Sequence, residues 1–203
     1  MSNFSRHLLK DGWDVETFYY PSRSGSIEDH AQLLVDRLKD IDTDRPIHFV
    51  GYSLGGIILK AALNHPDCPS CAFSGKISLI AVPHNGSEFV RSVGRSLFGR
   101  LFLGQHSGKQ LYETTNKGFD YLGNFPTKTP VLVLSGTKGS TEDIQDSTDG
   151  KVSVIESCIP TPHDHRFINT RHKKICDNIN TIKETINFFE KSERTDHCPL
   201  SRT

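Results

Sequence analysis

The serine at position 53 has neighbours that favour its use as a nucleophile. It lies within residues 51–56, which read GYSLGG and contain the pattern G-x-S-x-G. An apolar, strand-like run at 46–50 precedes the motif, and an apolar, helix-like run at 57–63 follows it. Glycines remove the Cβ atoms that would clash in a very tight strand-to-helix turn, so the serine hydroxyl can project outward. We therefore predict a nucleophile at Ser53 rather than a plain glycine-rich turn.

A serine hydroxyl becomes an effective nucleophile when a histidine takes its proton and a carboxylate orients that histidine. In proteins with this turn, the chain order is serine, acid and then histidine. After a predicted strand that ends at Gly136, an acidic loop contains Asp149, which is followed by a glycine. That position lets the carboxylate turn toward an imidazole, so we predict Asp149 as the acid. The competing carboxylates of this loop fit a solvated surface better: Glu142, Asp143 and Asp146.

The candidate bases lie just before the last predicted helix. His163 and His165 compete there, and we favour His165 because the apolar pair Phe167 and Ile168 would anchor its loop. His84 precedes the acid, which is the wrong order for the base, but it follows a predicted strand and could border the site. The other histidines are interpreted as ordinary surface or core residues: His7, His30, His48, His65, His106, His172 and His197.

The negative oxygen of a tetrahedral intermediate must be held by hydrogen-bond donors aimed at it. The backbone N–H of Leu54, directly after the serine, is predicted as one donor. A second donor normally comes from a loop after an earlier strand, often with the sequence His-Gly. The sequence has no such strand and no His-Gly pair. Because removing one donor typically costs on the order of 100- to 1000-fold in rate, this absence bears directly on activity.

The elements that must position these residues alternate between strands and helices. Apolar runs predict strands, and apolar stripes at helical spacing predict helices. The predicted helices are 3–10, 26–41, 57–63 and 175–189, and the predicted strands are 13–20, 46–50, 76–83 and 130–136. This alternation predicts an α/β fold with a mostly parallel sheet and helices on both faces.

We predict one domain over residues 1–191 and a polar, flexible tail at 192–203. Residues 87–128 break the alternation, and two interpretations stay open for them. The segment is either a cap that lines an acyl pocket near the serine or a surface helix packed on the core. The candidates for substrate binding are Tyr52, His84 and Phe98.

The amino-acid composition limits which binding partners and which cellular compartment we expect for the protein. The 203 residues include 24 basic and 24 acidic side chains, a balance that gives no reason to expect nucleic acid or an anionic membrane as the main partner. No apolar run is long enough to span a bilayer, and the N-terminus lacks the apolar core of a secretory signal. We therefore expect a cytoplasmic protein, with peripheral lipid contact left open. Cys68 and Cys71 have C-x-x-C spacing without a second ligand pair, so no metal is expected.

The order of several segments resembles the α/β-hydrolase family, and within it the lipase and acyl-esterase branch that includes inositol-deacylase-like proteins. These segments are YPSR at 20–23, GSI at 25–27, HFVGYSLGG at 48–56, AVPHNGSE at 81–88, DGKVSV at 149–154 and HRFI at 165–168. The resemblance implies Ser53 as nucleophile, Asp149 as orienting acid and His165 as general base. It also implies the Leu54 N–H as an oxyanion donor, a doubly wound sheet, activity on carboxylic esters and no cofactor.

Two functions follow from these residues. The first is a serine hydrolase that cleaves a small-molecule or lipid ester through an acyl-enzyme on Ser53. The alternative is a catalytically impaired α/β-hydrolase-like protein that binds a ligand or partner. The alternative arises because family members usually carry an N-terminal strand and a His-Gly loop, so that the predicted fold is N-terminally shortened relative to them. The sequence does not indicate the oligomeric state.

Overall fold

A sheet of four parallel strands lies at the centre of the protein. A computed structural model describes residues 2–22, 24–96, 106–114, 118–139 and 147–191. The strands, in the order in which they pair, are β1 (Phe49–Tyr52), β2 (Ile77–Ile80), β3 (Val131–Gly136) and β4 (Asp164–Ile168). Every residue of β2 and β3 is buried, whereas β1, at one end of the sheet, is mostly half-buried. The predicted parallel sheet is therefore confirmed.

Helices connect the strands, as the alternation of patterns predicts. The α-helices are α1 (Ser2–Lys10), α2 (Ile27–Lys39), α3 (Leu54–Leu63), α4 (Glu88–Gly94), α5 (Ser107–Tyr112), α6 (Val154–Ser157) and α7 (Ile179–Glu190). Short 3-10 helices cover Ser70–Phe73, Asp120–Leu122 and His172–Asp177. The predicted helices are confirmed with small shifts of their ends, except that the last one divides into a 3-10 helix and α7. Helix α2 begins at a capping box formed by Ser26 and Asp29.

The helices form two layers, one on each face of the sheet. On one face α2 and α3 pack against Leu79 and Val133. On the other face α1 and α7 pack against Leu132 and Leu134. Successive residues of a strand point to opposite faces, so Val133 lies in one core while its neighbours lie in the other. Coverage of both faces explains why β3 is a continuous apolar run, and it confirms the predicted α/β class.

Residues 13–20, predicted as a strand, do not join the sheet. Their side chains alternate as those of a strand would: Trp13 and Val15 contact the α1–α7 core, and Phe18 and Tyr20 contact the α2–α3 core. A strand also needs a hydrogen-bonded neighbour, and within the described residues β1 pairs with β2 alone. The strand prediction is wrong for this reason, although the side-chain pattern behind it is present.

The region 87–128 contributes α4 and α5, which pack against each other. Helix α5 is also joined to the start of α2. The side-chain oxygen of Gln110 accepts the backbone N–H of Ile27 at 2.7 Å, and its nitrogen donates to Glu28 at 2.7 Å. The tail at 192–203 lies outside the described residues. None of the helices in the described ranges is long and apolar enough to cross a membrane.

Candidate active site

Ser53 lies on a sharp turn between β1 and α3. Its backbone has φ 51° and ψ −126°, and this positive φ is one that residues with side chains rarely adopt. The Ser53 N–H donates to the carbonyl of Ile80 at 3.0 Å, which ties the turn to the end of β2. Backbone conformations of this kind cost on the order of 1–3 kcal/mol and persist where the surrounding structure enforces them.

Two glycines near the turn are required by close packing. A Cβ on Gly51 would lie 2.7 Å from the Cα of Gly56, and a Cβ on Gly56 would overlap the side chain of Val82. A Cβ on Gly55 would meet open space. The glycine that packing requires after the serine is therefore Gly56, although the sequence pattern singles out Gly55.

The Ser53 hydroxyl is directed at an imidazole. A serine that precedes a helix commonly accepts a hydrogen bond from the first turn of that helix, yet the Ser53 side chain makes no such bond. Its Oγ lies 3.2 Å from Nε2 of His172 instead. The turn thus aims the hydroxyl at a hydrogen-bond partner far along the chain.

His172 lies between Ser53 and Asp149. Its Nδ1 is 2.7 Å from Oδ2 of Asp149, and its backbone N–H donates to the Asp149 carbonyl at 2.9 Å. The two side chains are buried, with 7% of His172 and 0% of Asp149 exposed. Because Asp149 is an acceptor, Nδ1 carries the proton of the neutral ring and Nε2 is left to accept a proton from Ser53.

Asp149 is fixed by its own loop. Its Oδ1 accepts the backbone N–H groups of Lys151 and Val152, each at 2.9 Å, which leaves Oδ2 for His172. A Cβ on Gly136, at the end of β3, would lie 2.6 Å from the Asp149 Cβ, so a glycine there lets the loop approach the sheet. The structure brings the predicted acid to Ser53 through His172. The competing carboxylates lie outside the described residues: Glu142, Asp143 and Asp146.

His165 does not reach Ser53, and the histidine beside Ser53 is His172, which is interpreted from the sequence as an ordinary surface or core residue. His165 lies within β4, where its Nε2 is 2.8 Å from Oγ of Ser135 on β3. Burial, and next the neighbouring His163, lower the pKa of His165. The prediction treats this segment as a loop, whereas it is a strand of the sheet. A residue in the middle of a strand cannot extend past the sheet edge, so His165 bonds to the adjacent strand.

The signal that identifies His172 is its place in the topology. Side chains that follow the carboxyl ends of neighbouring parallel strands meet at one edge of the sheet. Ser53 follows β1 directly, Asp149 comes after β3, and His172 comes shortly after β4. Once 164–168 is recognised as a strand, His172 is the first histidine beyond its end.

Tyr52 supports the segment that carries His172. Its hydroxyl donates to the His172 carbonyl at 3.0 Å, and the two rings lie 5.2 Å apart. Burial raises the pKa of Tyr52, so the phenol keeps its proton and stays a donor at physiological pH. Tyr52 therefore lies beside the site with its hydroxyl engaged by the protein, and substrate binding by Tyr52 stays a prediction.

His84, the second predicted substrate-binding residue, lies in the core. His84 is only 2% exposed, and its ring lies edge-on to Phe125 at 5.4 Å. Neither ring nitrogen has a hydrogen-bond partner among the described residues. Burial, followed by the nearby Lys60 and His163, keeps the pKa of His84 well below its usual range. His84 is thus a neutral core residue with almost no surface for a substrate. Phe98 lies outside the described residues.

Leu54 is well placed to donate to an oxyanion. It is the first residue of α3, so its N–H has no acceptor within the helix and lies at the positive end of the helix dipole. The N–H also belongs to the residue next to Ser53, where the oxyanion of an attacked carbonyl would form. The role of this N–H as an oxyanion donor stays a prediction.

The described residues offer no alternative centre built on a metal. Within them, no group of three or more His, Cys, Asp or Glu side chains could hold an ion. Cys68 and Cys71 carry free thiols, and burial raises the pKa of Cys68. The chemistry that the site supports is proton transfer from the Ser53 hydroxyl to the imidazole of His172.

Comparison with known proteins finds similarity in structure but not in sequence. No family model matches the sequence, and no curated protein matches it significantly. The structure is similar to that of the lipase BlEst2 from Bacillus licheniformis. The mature lipase has a TM-score of 0.70 at 20% identity, over 92% of this chain and 83% of the lipase. The propeptide form has a TM-score of 0.73 at 20% identity, over 94% of this chain and 46% of that one.

Two further solved structures share the fold. A metagenomic carboxyl esterase has a TM-score of 0.66 at 16% identity, over 84% of this chain and 58% of the esterase. The type II thioesterase YbtT, from the yersiniabactin biosynthetic pathway, has a TM-score of 0.51 at 16% identity, over 93% of this chain and 88% of the thioesterase. This chain therefore spans less than two thirds of the esterase and of the lipase with its propeptide. The likeness shows that the chain has the α/β-hydrolase fold.

Proposed function

We propose that this chain is a serine hydrolase that cleaves carboxylic esters of acyl groups through a covalent acyl-enzyme on Ser53. The observation that carries the proposal is the continuous hydrogen-bond chain from Asp149 through His172 to Ser53, with links of 2.7 and 3.2 Å. The three residues follow the chain order serine, acid, histidine and lie beyond strands of one parallel sheet. The general base is His172, in place of the His165 that the sequence predicts.

In the first half of the reaction, Oγ of Ser53 attacks the ester carbonyl carbon while Nε2 of His172 takes the hydroxyl proton. The Asp149 carboxylate stabilises the resulting imidazolium, because its Oδ2 accepts the Nδ1 proton of His172. The tetrahedral intermediate then collapses. The alkoxide leaves with the proton from Nε2, and the acyl group stays on Ser53.

In the second half, water replaces the alcohol as the reactant. His172 takes a proton from the water as it attacks the acyl carbonyl, and then returns that proton to Oγ of Ser53. The carboxylic acid leaves, and the site is restored. The N–H of Leu54 would donate to the oxyanion in both halves. The proposed reaction uses no metal and no cofactor.

The substrate class is argued from the neighbours and the chemistry together. The similar structures are those of a lipase, a carboxyl esterase and a thioesterase, and all three kinds of enzyme act on an acyl carbonyl. The activated hydroxyl of Ser53 suits an acyl ester of a small molecule or lipid, since the alkoxide leaving group needs only the proton that His172 holds. A thioester would follow the same course with a better leaving group.

Hydrolysis of short p-nitrophenyl acyl esters tests the proposal. The unsubstituted chain should release nitrophenol, and the Ser53→Ala variant should release it only at the background rate. Ser24→Ala is the matched control, because Ser24 is an exposed serine whose hydroxyl donates a local bond to the carbonyl of Pro21. Equal turnover by the chain with and without the Ser53 hydroxyl would refute the proposal.

A second candidate function is binding of an acyl ligand or a partner without turnover. The observation that favours it is that only one oxyanion donor, the Leu54 N–H, is identified in the described residues. Loss of one donor typically costs on the order of 100- to 1000-fold in rate. Under this alternative, titration calorimetry with an acyl ester would show binding, while nitrophenol release would match that of Ser53→Ala.

A further inference from the structure

Hydrogen bonds within the loop that carries Asp149 define the shape of the loop, but they do not define its position relative to His172. Within the loop, the N–H of Asp149 donates to the carbonyl of Val152 at 3.1 Å, and the hydroxyl of Thr148 donates to the same carbonyl at 3.1 Å. These bonds close the turn around the carboxylate. They do not by themselves determine how far the carboxylate lies from His172. The bond from the His172 N–H to the Asp149 carbonyl ties the two backbones together, and further contacts must hold the rest of the loop in place.

Such contacts come from residues 85–88, which lie in the AVPHNGSE segment. The buried hydroxyl of Ser87 donates to the carbonyl of Lys151 at 2.6 Å. The side-chain amide of Asn85 donates to the carbonyls of Ile155 at 2.9 Å and Cys158 at 3.2 Å. Its backbone N–H adds a bond of 3.0 Å to the carbonyl of Glu156. The segment 151–158 is thus held at its start by the side chain of Ser87 and at its end by that of Asn85.

The Glu156 carboxylate joins the same two segments from the other side. Its Oε2 accepts the N–H of Ser153 at 2.8 Å, and its Oε1 accepts the N–H of Glu88. The first N–H belongs to the residue before α6, and the second belongs to the first residue of α4. The carboxyl group suits this place, because the N–H groups at the start of a helix have no acceptor within it. Each carboxylate oxygen has a donor.

Residues 82–88 also reach the Ser53 turn. The side chain of Val82 fills the space beside Gly56 that a Cβ would otherwise occupy. From Val82, a short turn in which the His84 N–H donates to the Val82 carbonyl at 3.0 Å leads to Asn85. One segment therefore packs against the nucleophile turn at its start and holds the acid loop at its end.

We propose that Asn85, Ser87 and Glu156 are positioning residues that set the distance between the Asp149 carboxylate and His172. This role rests on the function proposed above, because it acts on the same proton-transfer chain. A displacement of about 1 Å at a reacting group can cost on the order of 100-fold in rate. Loss of these contacts should therefore lower kcat while leaving substrate affinity nearly unchanged, since the three side chains are bonded to the protein itself.

The test is the Glu156→Gln variant, studied in two ways. Glutamine keeps the shape but presents an NH₂ group to one of the two N–H donors, so one hydrogen bond is replaced by a clash of donors. The amides of Lys151 and Val152, which donate to Asp149, should exchange with solvent at least about tenfold faster, while those of Ile182 and Ile186 in α7 should not change. On a p-nitrophenyl ester, kcat should fall about 10- to 100-fold with KM within about twofold.

A second substitution separates positioning from general destabilisation. In the Asp149→Asn background, Glu156→Gln should lower kcat no further, because the charge that it positions is already gone. An equal loss of kcat in both backgrounds would overturn the positioning role. Glu113→Gln is the matched control, since Glu113 is an exposed carboxylate 3.8 Å from Lys109, and it should change neither exchange nor turnover.

If Glu156→Gln does not fold, Asn85→Ala replaces it, with the same expectations. Unchanged exchange at Lys151 and Val152 would overturn the proposal. Faster exchange with full kcat would overturn it too, since the loop would then move without consequence. If the unsubstituted chain has no esterase activity, the proposed function fails, while the exchange measurement alone still decides whether these residues hold the loop.

Discussion

The backbone of Ser53 adopts a conformation that its neighbours must enforce. Its positive φ costs on the order of 1–3 kcal/mol, and the absence of a capping bond from its hydroxyl to α3 costs about 1 kcal/mol more. The hydroxyl is instead committed to His172, whose other nitrogen faces Asp149. Local stability is thus reduced at the point where the proposed reaction needs a defined geometry, as expected for a functional residue.

Replacing Asp149 by asparagine should remove activity with little loss of stability. The asparagine oxygen can still accept the N–H groups of Lys151 and Val152, but its NH₂ group would then face Nδ1 of His172. The imidazole would move its proton to Nε2, where it could no longer accept the proton of Ser53. We expect kcat on a p-nitrophenyl ester to fall on the order of 10⁴-fold. A kcat within tenfold of the unsubstituted chain would contradict this role.

At the scale of elements, the sharp turn between β1 and α3 depends on close contact with β2 and its following segment. Gly51 approaches Gly56, and Gly56 approaches Val82, so neither position has room for a side chain. Gly55 lies in the same helix turn and faces open space. The two neighbouring glycines, Gly55 and Gly56, therefore have different constraints and form a matched pair.

Alanine at these two positions should have opposite effects on the free energy of unfolding. Gly55→Ala should leave it unchanged or raise it by up to about 1 kcal/mol, because alanine favours a helix over glycine. Gly56→Ala should lower it by about 1–3 kcal/mol, since the new methyl group forces Val82 to move. Urea denaturation of the two variants measures both changes. Equal effects at the two positions would show that the turn does not depend on the contact with Val82.

The sequence predicts the elements around the site better than it predicts the base. Ser53 and Asp149 are predicted because glycines mark the turns that carry them, and the structure places both in contact with His172. His172 is missed because 164–168 is short and contains exposed polar residues, so its pattern does not reveal a strand. Residues 13–20 show the converse error, because their alternation is that of a strand while pairing depends on a neighbour that local sequence does not show.

At the scale of the whole molecule, four histidines that lie outside the candidate site are buried or half-buried. Burial lowers the pKa of His30, His48, His84 and His165. The ring nitrogens of His30 and His84 have no hydrogen-bond partners within the described ranges. Each of these rings therefore binds a proton less readily in the folded state than in the unfolded state, where its pKa has the ordinary value of 6.5.

The free energy of unfolding should therefore fall as the pH drops below about 6.5. The unfolded chain then binds more protons than the folded chain, so protonation favours unfolding. Each affected histidine contributes up to about 1.4 kcal/mol per pH unit. The difference in unfolding free energy between pH 7.5 and 5.5, measured in urea, should shrink by about 1 kcal/mol in His84→Leu. His106→Leu is the control, because His106 is exposed, and it should leave the difference as it is in the unsubstituted chain. An unchanged difference in His84→Leu would contradict the conclusion that burial lowers the pKa of His84.

The assignment of His172 as the base that activates Ser53 is tested most directly by labelling with a fluorophosphonate probe. The account predicts that mass spectrometry will find the adduct on Ser53 in the unsubstituted chain. It also predicts that His172→Ala will slow labelling by on the order of 10⁴-fold, while His165→Ala in a folded variant will leave it nearly unchanged. Undiminished labelling of His172→Ala, or loss of labelling in His165→Ala instead, would contradict the account.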